Sequence, residues 1–288
     1  MSYDLDIVTK ITESFNHLSD AEKKVATVIL EDLTFTAGAS ITDIANRAQV
    51  SEATITRFAK SVNCENVRSL KLRLAQSIAV GQRFISETKD EVEGLHGHYD
   101  AIKKSLDDNA QLITEDIINS AVEKILDARQ VLTFGVGGGS TMIAQESQHR
   151  LFRLGYPATA YSDPMLMHMA ASTLSNNDAV ICISASGVSP DVKESAQIAK
   201  QYNAKVVAIT RAGSELANIA DAVLPIKYEE TDFIFSPSTS RYAMLAALDV
   251  LMTELAVAKK RTSRDKLRRI KLVLDSYFNS HERLPLGD

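Results

Sequence analysis

From about residue 110 onward, short β-rich runs alternate with helical stretches, and this alternation limits the possible folds more than any other feature of the chain. The runs are QVLTFGV, PATAY, AVICIS, KVVAIT and AVLPI. The clearest of them are followed by glycine, serine or threonine and then by a helical pattern. Strands apolar along their whole length need cover on both faces, and alternation with helices pairs them in parallel. The fold class expected here is α/β, with a doubly wound parallel sheet. Later, YAMLAALDVLMTELAVA carries Asp249 and Glu254, so it reads as a buried or interface helix and not as a membrane span. The basic stretch SRDKLRRIKLVLDSYF reads as a last helix.

Residues 1–80 follow a different pattern. They hold no proline and one glycine. Apolar residues recur at helical spacing: Val25, Val28 and Ile29, then Ile41, Ile44 and Ala45, then Leu70, Leu72 and Leu74 with Ile78. Ser19, three residues before Glu22, and Ser51, before EATITRFAKSV, mark helix starts. The expectation is an all-α bundle of about five short helices. Residues 81–108, polar and mixed in charge, read as a linker that turns helical near Tyr99, and residues 109–288 as the α/β unit with its last helix. The 288 residues suffice for two cores. Cys64 and Cys182 lie far apart, without metal-ligand spacing, and read as reduced thiols. MSYDLDIVTKI lacks the basic, apolar pattern of a secretion signal, so a cytoplasmic location is expected, with no membrane partner, metal or cofactor.

In the helical half the informative stretch is SITDIANRAQVSEATITRFAKSVNC, residues 40–64. A helix over Ile41–Ala48, the turn QVS and a second helix after Ser51 set Ile44 and Ala45 against Ile55 and Phe58. Thr54, Thr56, Arg57 and Lys60 then fall on more polar positions, behind Ser51 and Glu52 at the helix start. Such a second helix can lie in the DNA major groove and read base edges with its N-terminal residues. The net charge of −5 excludes a generally basic nucleic-acid binder, but not a local basic face. Residues 47–73 carry Arg47, Arg57, Lys60, Arg68, Lys71 and Arg73 against Glu52 and Glu65, a net +4. Phosphate contact requires such an excess. A plain helical bundle with a solvated basic face is the competing reading. LSDAEKKVATVIL, ITDIANRAQVSEATITRFAKSV and LKLRLAQSIA resemble the N-terminal domain of RpiR-type transcriptional regulators, over nearly all of residues 5–80. NCENVRSLK departs from the family, which more often has glycine and phenylalanine there. The resemblance implies operator DNA as a partner, with Ser51, Glu52, Thr54, Thr56, Arg57 and Lys60 at the DNA.

In the α/β half, VLTFGVGGGST is a strand, a glycine-rich turn and a hydroxyl pair. Glycines let backbone approach an anion closely, and a following helix N-terminus points N–H groups at it. Gly137, Ser140 and Thr141 are the candidates here. GVGGGS partly imitates a dinucleotide fingerprint, with Ser140 in the third glycine position and Asp163 about 20 residues on, and it lacks the G-K-[ST] ending of a triphosphate loop. AVICISASGVSPDV adds Ser184, Ser186, Gly187 and Ser189 at a strand's C-terminal end, where parallel sheets bind ligands. AITRAGSELANIAD offers Thr210 and Ser214 on a third strand. Any one serine fits an ordinary turn or cap. Together the S-x-S-G-x-S spacing resembles the sugar isomerase (SIS) domain, over residues 115–260. The resemblance implies that these hydroxyls, with Ser140, hold the phosphate of a phosphosugar.

SIS isomerases use a histidine and carboxylates, because moving a proton beside a carbonyl needs a poised base. His149 follows the first loop, and His168 stands where some SIS isomerases have His followed by Gly-Asp. Here Met169 and Ala170 follow instead. His168 is therefore expected as a ligand contact or a solvated helix residue, and the chain as a non-enzyme; a phosphosugar isomerase with an appended helical bundle is the alternative. Within the RpiR family, EETDFIFSPSTSRYAMLAALDVL and LPLGD resemble the HexR group, whose effector is 2-keto-3-deoxy-6-phosphogluconate. Arg241 stands either to meet a ligand carboxylate or to pair with an acidic neighbour. The resemblance as a whole implies a repressor of sugar catabolism genes. It would bind a palindromic operator as a homodimer or homotetramer, under control of a phosphorylated sugar or sugar acid.

Overall fold

The computed structural model describes residues 6–80, 94–229 and 238–278. These fall into two compact units, residues 6–80 in one and the remainder in the other.

The first unit is helical: α1 (Ile7–Ser14), a 3-10 turn (Phe15–His17), α2 (Asp20–Glu31), α3 (Leu33–Gly38), α4 (Ile41–Ala48), α5 (Glu52–Ser61) and α6 (Val67–Val80). Caps set the boundaries. The Ser19 N–H donates to Glu22 at 3.0 Å at the start of α2. Ser40 and Asp43 cap each other, at 3.1 and 3.2 Å, at the start of α4. Gln49, at φ +54°, closes α4, and the Ser51 hydroxyl accepts the Thr54 N–H at 3.3 Å to open α5. The core closes on Ile29, Ile44, Ile55, Phe58 and Leu74, all buried. There are six α-helices among the described residues of this unit, where about five were expected. The extra one is α3, too short to show a period. Its start is a single side chain, Asp32, whose carboxylate accepts the Phe35 N–H at 2.8 Å. In the segment that departs from the family, Asn63 takes the left-handed conformation (φ +59°) and Asn66 caps α6 by accepting the Ser69 N–H at 2.9 Å.

The second unit comprises α7 (Gly94–Ala110), α8 (Glu115–Leu126), β1 (Val131–Gly135), α9 (Gly138–Leu154), β2 (Ala158–Tyr161), α10 (Pro164–Ser172), β3 (Ala179–Ser184), α11 (Pro190–Gln201), β4 (Lys205–Arg211), α12 (Glu215–Ile219), β5 (Ala222–Ile226), α13 (Thr239–Ala258) and α14 (Lys260–Phe278). The five strands are all parallel, in the order β2-β1-β3-β4-β5. Alternate side chains feed two cores. Val131, Ile181, Ile183, Val207 and Ile209 pack under α8, α9 and α13, while Leu132, Phe134, Val180, Cys182 and Val206 pack under α10, α11 and α12. The doubly wound sheet is thus the one read from the strand runs, and α13 lies buried along Met244, Leu248, Leu251 and Leu255. Among the described residues no helix is long and apolar enough to cross a membrane.

Of the expected linker, residues 81–93 lie outside the described residues and 94–108 are helix, in the second unit. The reason is a polar anchor rather than an apolar stripe. Buried Asn109 donates to the Lys227 carbonyl at 2.7 Å and accepts the Lys227 N–H at 2.8 Å. Ile102 and Ser105 share its face.

Candidate DNA and effector sites

In the first unit, α5 exposes Ser51, Glu52, Thr56, Arg57 and Lys60, while Ile55 and Phe58 are buried. Thr54 does not lie on the polar face where the sequence put it. It is 5% exposed, because position 54 follows the same inward stripe as Ile55 and Phe58. Its hydroxyl lies 3.0 Å from that of Ser51 and accepts from the Arg57 guanidinium at 3.3 Å. Thr54 therefore orients Arg57. Glu52 is also engaged, accepting from the Thr42 hydroxyl at 2.6 Å across the turn. Ala53 is exposed and lies one turn before Thr56 and Arg57 on their face. Counting spacing backward from those two residues would have found it. Of the six local cations, Arg47 pairs with Asp32 at 3.2 Å and lies over the Phe35 ring, and Lys71 donates to the Ala39 carbonyl at 2.8 Å. The outward-facing charge is that of Arg57 and Lys60, with Arg68 beyond them.

In the second unit, the strand order reverses between β1 and β3. The chain leaves β1 for α9 on one face and β3 for α11 on the other, so a crevice opens at the C-terminal ends of these two strands. Two helix N-termini meet there, each with backbone N–H groups that have no intrahelical partner. Gly137 turns the chain into α9 with φ +86°, a conformation that favours glycine. The Ser140 hydroxyl, in the first turn of α9, has no partner among the described residues. Thr141 is different: its hydroxyl donates to the Gly135 carbonyl at 3.1 Å and braces the loop.

Across the crevice, buried Ser184 accepts the Gly187 N–H at 3.1 Å, and Ser186 accepts the Val188 N–H at 3.4 Å. A hydroxyl that accepts in this way keeps its own hydrogen to donate to an anion. Ser189 precedes α11 without a side-chain capping bond. Gly187, at φ +70°, lies on Thr210 and Ser214. A Cβ added there would come within 2.1 Å of the Ser214 hydroxyl oxygen, so those two hydroxyls form the floor of the loop.

Arg241, on the first turn of α13, runs over the first turn of α9. Its Cγ lies 3.3 Å, and its Nε 3.9 Å, from where a β-carbon on Gly139 would stand. It has no ion pair among the described residues. Asp163, the acid weighed for a dinucleotide site, caps α10 by accepting the Leu166 N–H at 2.9 Å. His168 is not without a carboxylate: Glu194 of α11 reaches within 3.7 Å of its Nε2, a pairing between two helices that no local motif announces. That nitrogen is buried without a hydrogen bond. His149 is exposed, 3.9 Å from Glu146. Both cysteines are buried, and burial pushes the Cys182 thiol well above its usual range. Among the described residues no cluster of His, Cys, Asp or Glu has the makings of a metal site.

Two family descriptions match the chain: the rpiR-family helix-turn-helix domain over residues 5–81 and the SIS domain over residues 124–254. The HTH-type transcriptional regulator HexR of Escherichia coli (strain K12) is 31% identical over 288 residues, 99% of each chain. The HexR of Pseudomonas aeruginosa is 34% identical, over 92% of this chain and 94% of that protein. Among solved structures, the Vibrio vulnificus NanR protein complexed with ManNAc-6P matches with a TM-score of 0.59 at 24% identity, over 93% of this chain and 98% of that one, a likeness of fold.

Proposed function

The chain belongs to the rpiR family of helix-turn-helix transcriptional regulators, and from that premise we propose that it represses sugar catabolism genes until 2-keto-3-deoxy-6-phosphogluconate releases it from its operator. The observation that carries the effector half is the pairing of two anion-holding features in one crevice. The hydroxyls of Ser140, Ser184, Ser186 and Ser189 lie at the C-terminal end of β3 or at the starts of α9 and α11, positions that suit a phosphate. Arg241, over Gly139 and without an acidic partner among the described residues, suits a carboxylate of the same ligand. The regulator acts in the cytoplasm as a homodimer or homotetramer on a palindromic operator, with the α5 face of Thr56, Arg57 and Lys60 in the major groove. Titration calorimetry with the keto-acid phosphate, 6-phosphogluconate and glucose 6-phosphate tests the reading. The two acids should bind more tightly, and Arg241→Ala should remove most of that preference while phosphate binding persists. Equal affinity for acid and neutral sugar phosphates in the unaltered protein would overturn it.

The His168–Glu194 pair, between α10 and α11, favours a second reading, residual isomerase chemistry. The first reading expects no turnover of sugar phosphates in a coupled assay. Turnover lost in His168→Ala would favour the second.

A further inference from the structure

The crevice uses one edge of the sheet. A second concave surface lies elsewhere on the same unit, an open groove of about 680 Å³ between α9, α13 and α14. Its floor is apolar, formed by Leu154, Met252, Ala256, Val257 and Leu267, and Val257 is 56% exposed there. An apolar strip with a polar rim marks a contact surface. The rim is cationic and no carboxylate lines it. Arg153 of α9 and Lys260, Arg264 and Arg268 of α14 have no ion pair among the described residues. The helix α14 carries seven Lys and Arg against Asp265 and Asp275, a net +5 in a chain of net −5. The groove therefore calls for a partner that brings both apolar area and negative charge.

The spacing of the charges narrows the choice. Lys260, Arg264 and Arg268 stand four residues apart on α14, one above the other at steps of about 6 Å. A small anion meets one step of such a row. A second helix with carboxylates at the same four-residue spacing meets all of it, and its apolar stripe then faces the floor. Nucleic acid also carries charge at short intervals. The lining, however, holds no aromatic ring on which a base could stack, and a duplex backbone offers nothing apolar to Val257 and Leu267.

We infer that this groove docks an acidic amphipathic helix of another protein, with its apolar stripe on the floor and its carboxylates on the free cations of α9 and α14. The docking needs neither the effector nor the operator. The test uses the full-length protein and a labelled synthetic helix with leucines at i, i+4, i+7 and i+11 and glutamates on both flanks. The control peptide has the same composition with the leucines scattered round the helix. In fluorescence anisotropy the probe should bind, and the control should bind at least about tenfold more weakly. Arg264→Glu combined with Arg268→Glu, both at exposed sites, should remove probe binding and leave operator affinity unchanged. Val257→Ser, which keeps every charge in place, should weaken the probe as well. Equal binding of probe and control would make the surface a general polyanion site and overturn the proposal, and so would no binding of either. With no probe bound, a loss of operator affinity in the double variant would give the groove to DNA, and a fall in the mass of the assembly would give it to a second copy of the chain.

Discussion

Thr54 lies beneath Arg57, not beside it, and this changes how each should behave. Its hydroxyl is held by Ser51 and meets the guanidinium at 3.3 Å, so the arginine leaves α5 with one of its five N–H donors already fixed. A guanidinium so held loses less freedom when it forms a bidentate contact with a base edge. Arg57→Ala should therefore weaken operator binding by about 1–3 kcal/mol and weaken binding to random DNA much less. Thr54→Val, which keeps the shape and removes the hydroxyl, should lower operator affinity by a smaller factor. It should have no further effect in an Arg57→Ala background, because the two residues act through one interaction. Binding measured by fluorescence anisotropy on operator and random duplexes at one salt concentration checks both. Equal loss on the two duplexes would make Arg57 a phosphate contact. Additive losses would mean that Thr54 acts through the packing of α5 instead.

The sheet divides its chemistry between its two ends. At the C-terminal end are hydroxyls with hydrogens to donate. At the N-terminal end the charged groups are closed on one another. Buried Asp178 accepts two bonds from Arg129, from Nε at 2.9 Å and Nη2 at 3.0 Å, and bonds from the Ser175 N–H and hydroxyl, each at 2.8 Å. Burial alone would raise its pKa, but the bonds from Arg129 and Ser175 outweigh it, and the carboxyl is held below its usual value. A lowered folded pKa means stability that is full above the unfolded value, about 3.9, and is lost as pH falls through the folded one. Asp178→Asn should cost about 1–3 kcal/mol at neutral pH, and the gap from wild type should close below about pH 4. Urea unfolding followed by circular dichroism across that range measures it; a gap independent of pH would assign the cost to shape and not to charge. Elements with a period were legible in the sequence: the strands, α4 and α5, and the hydroxyl loops. Those built on one polar contact were not. The helix α3 rests on Asp32; α7 was legible from near Tyr99, but its anchor, Asn109 pairing with a backbone 118 residues away, was not; and the Glu194 carboxylate reaches His168 from another helix. Nothing local in the sequence records a bond made across the fold.

At the scale of the whole molecule, a chain of net −5 carries two cationic surfaces, the α5 face in one unit and α14 in the other. Only a phosphate-contacting surface gives a steep salt dependence on DNA, because only there are counterions released. Substituting the α14 cations should therefore leave the salt slope of operator binding unchanged. Control by the effector is a separate property, which neither binding activity guarantees. If ligand in the crevice weakens operator binding by some factor, operator must weaken ligand binding by that same factor, whatever structural route connects them. Such factors typically run from about 5-fold to 150-fold, or about 1–3 kcal/mol. Titrating the keto-acid phosphate into the protein, with and without saturating operator duplex, should give two dissociation constants that differ within that range, the weaker in the presence of DNA. Ser184→Ala, which removes the hydroxyl beside the Gly187 N–H, should abolish the effector's release of DNA and leave ligand-free operator binding intact. Identical ligand affinity with and without operator would mean that the units are not coupled. The chain would then be a DNA-binding protein that also holds a sugar phosphate, and regulation by that ligand would fail as its function even with both sites real.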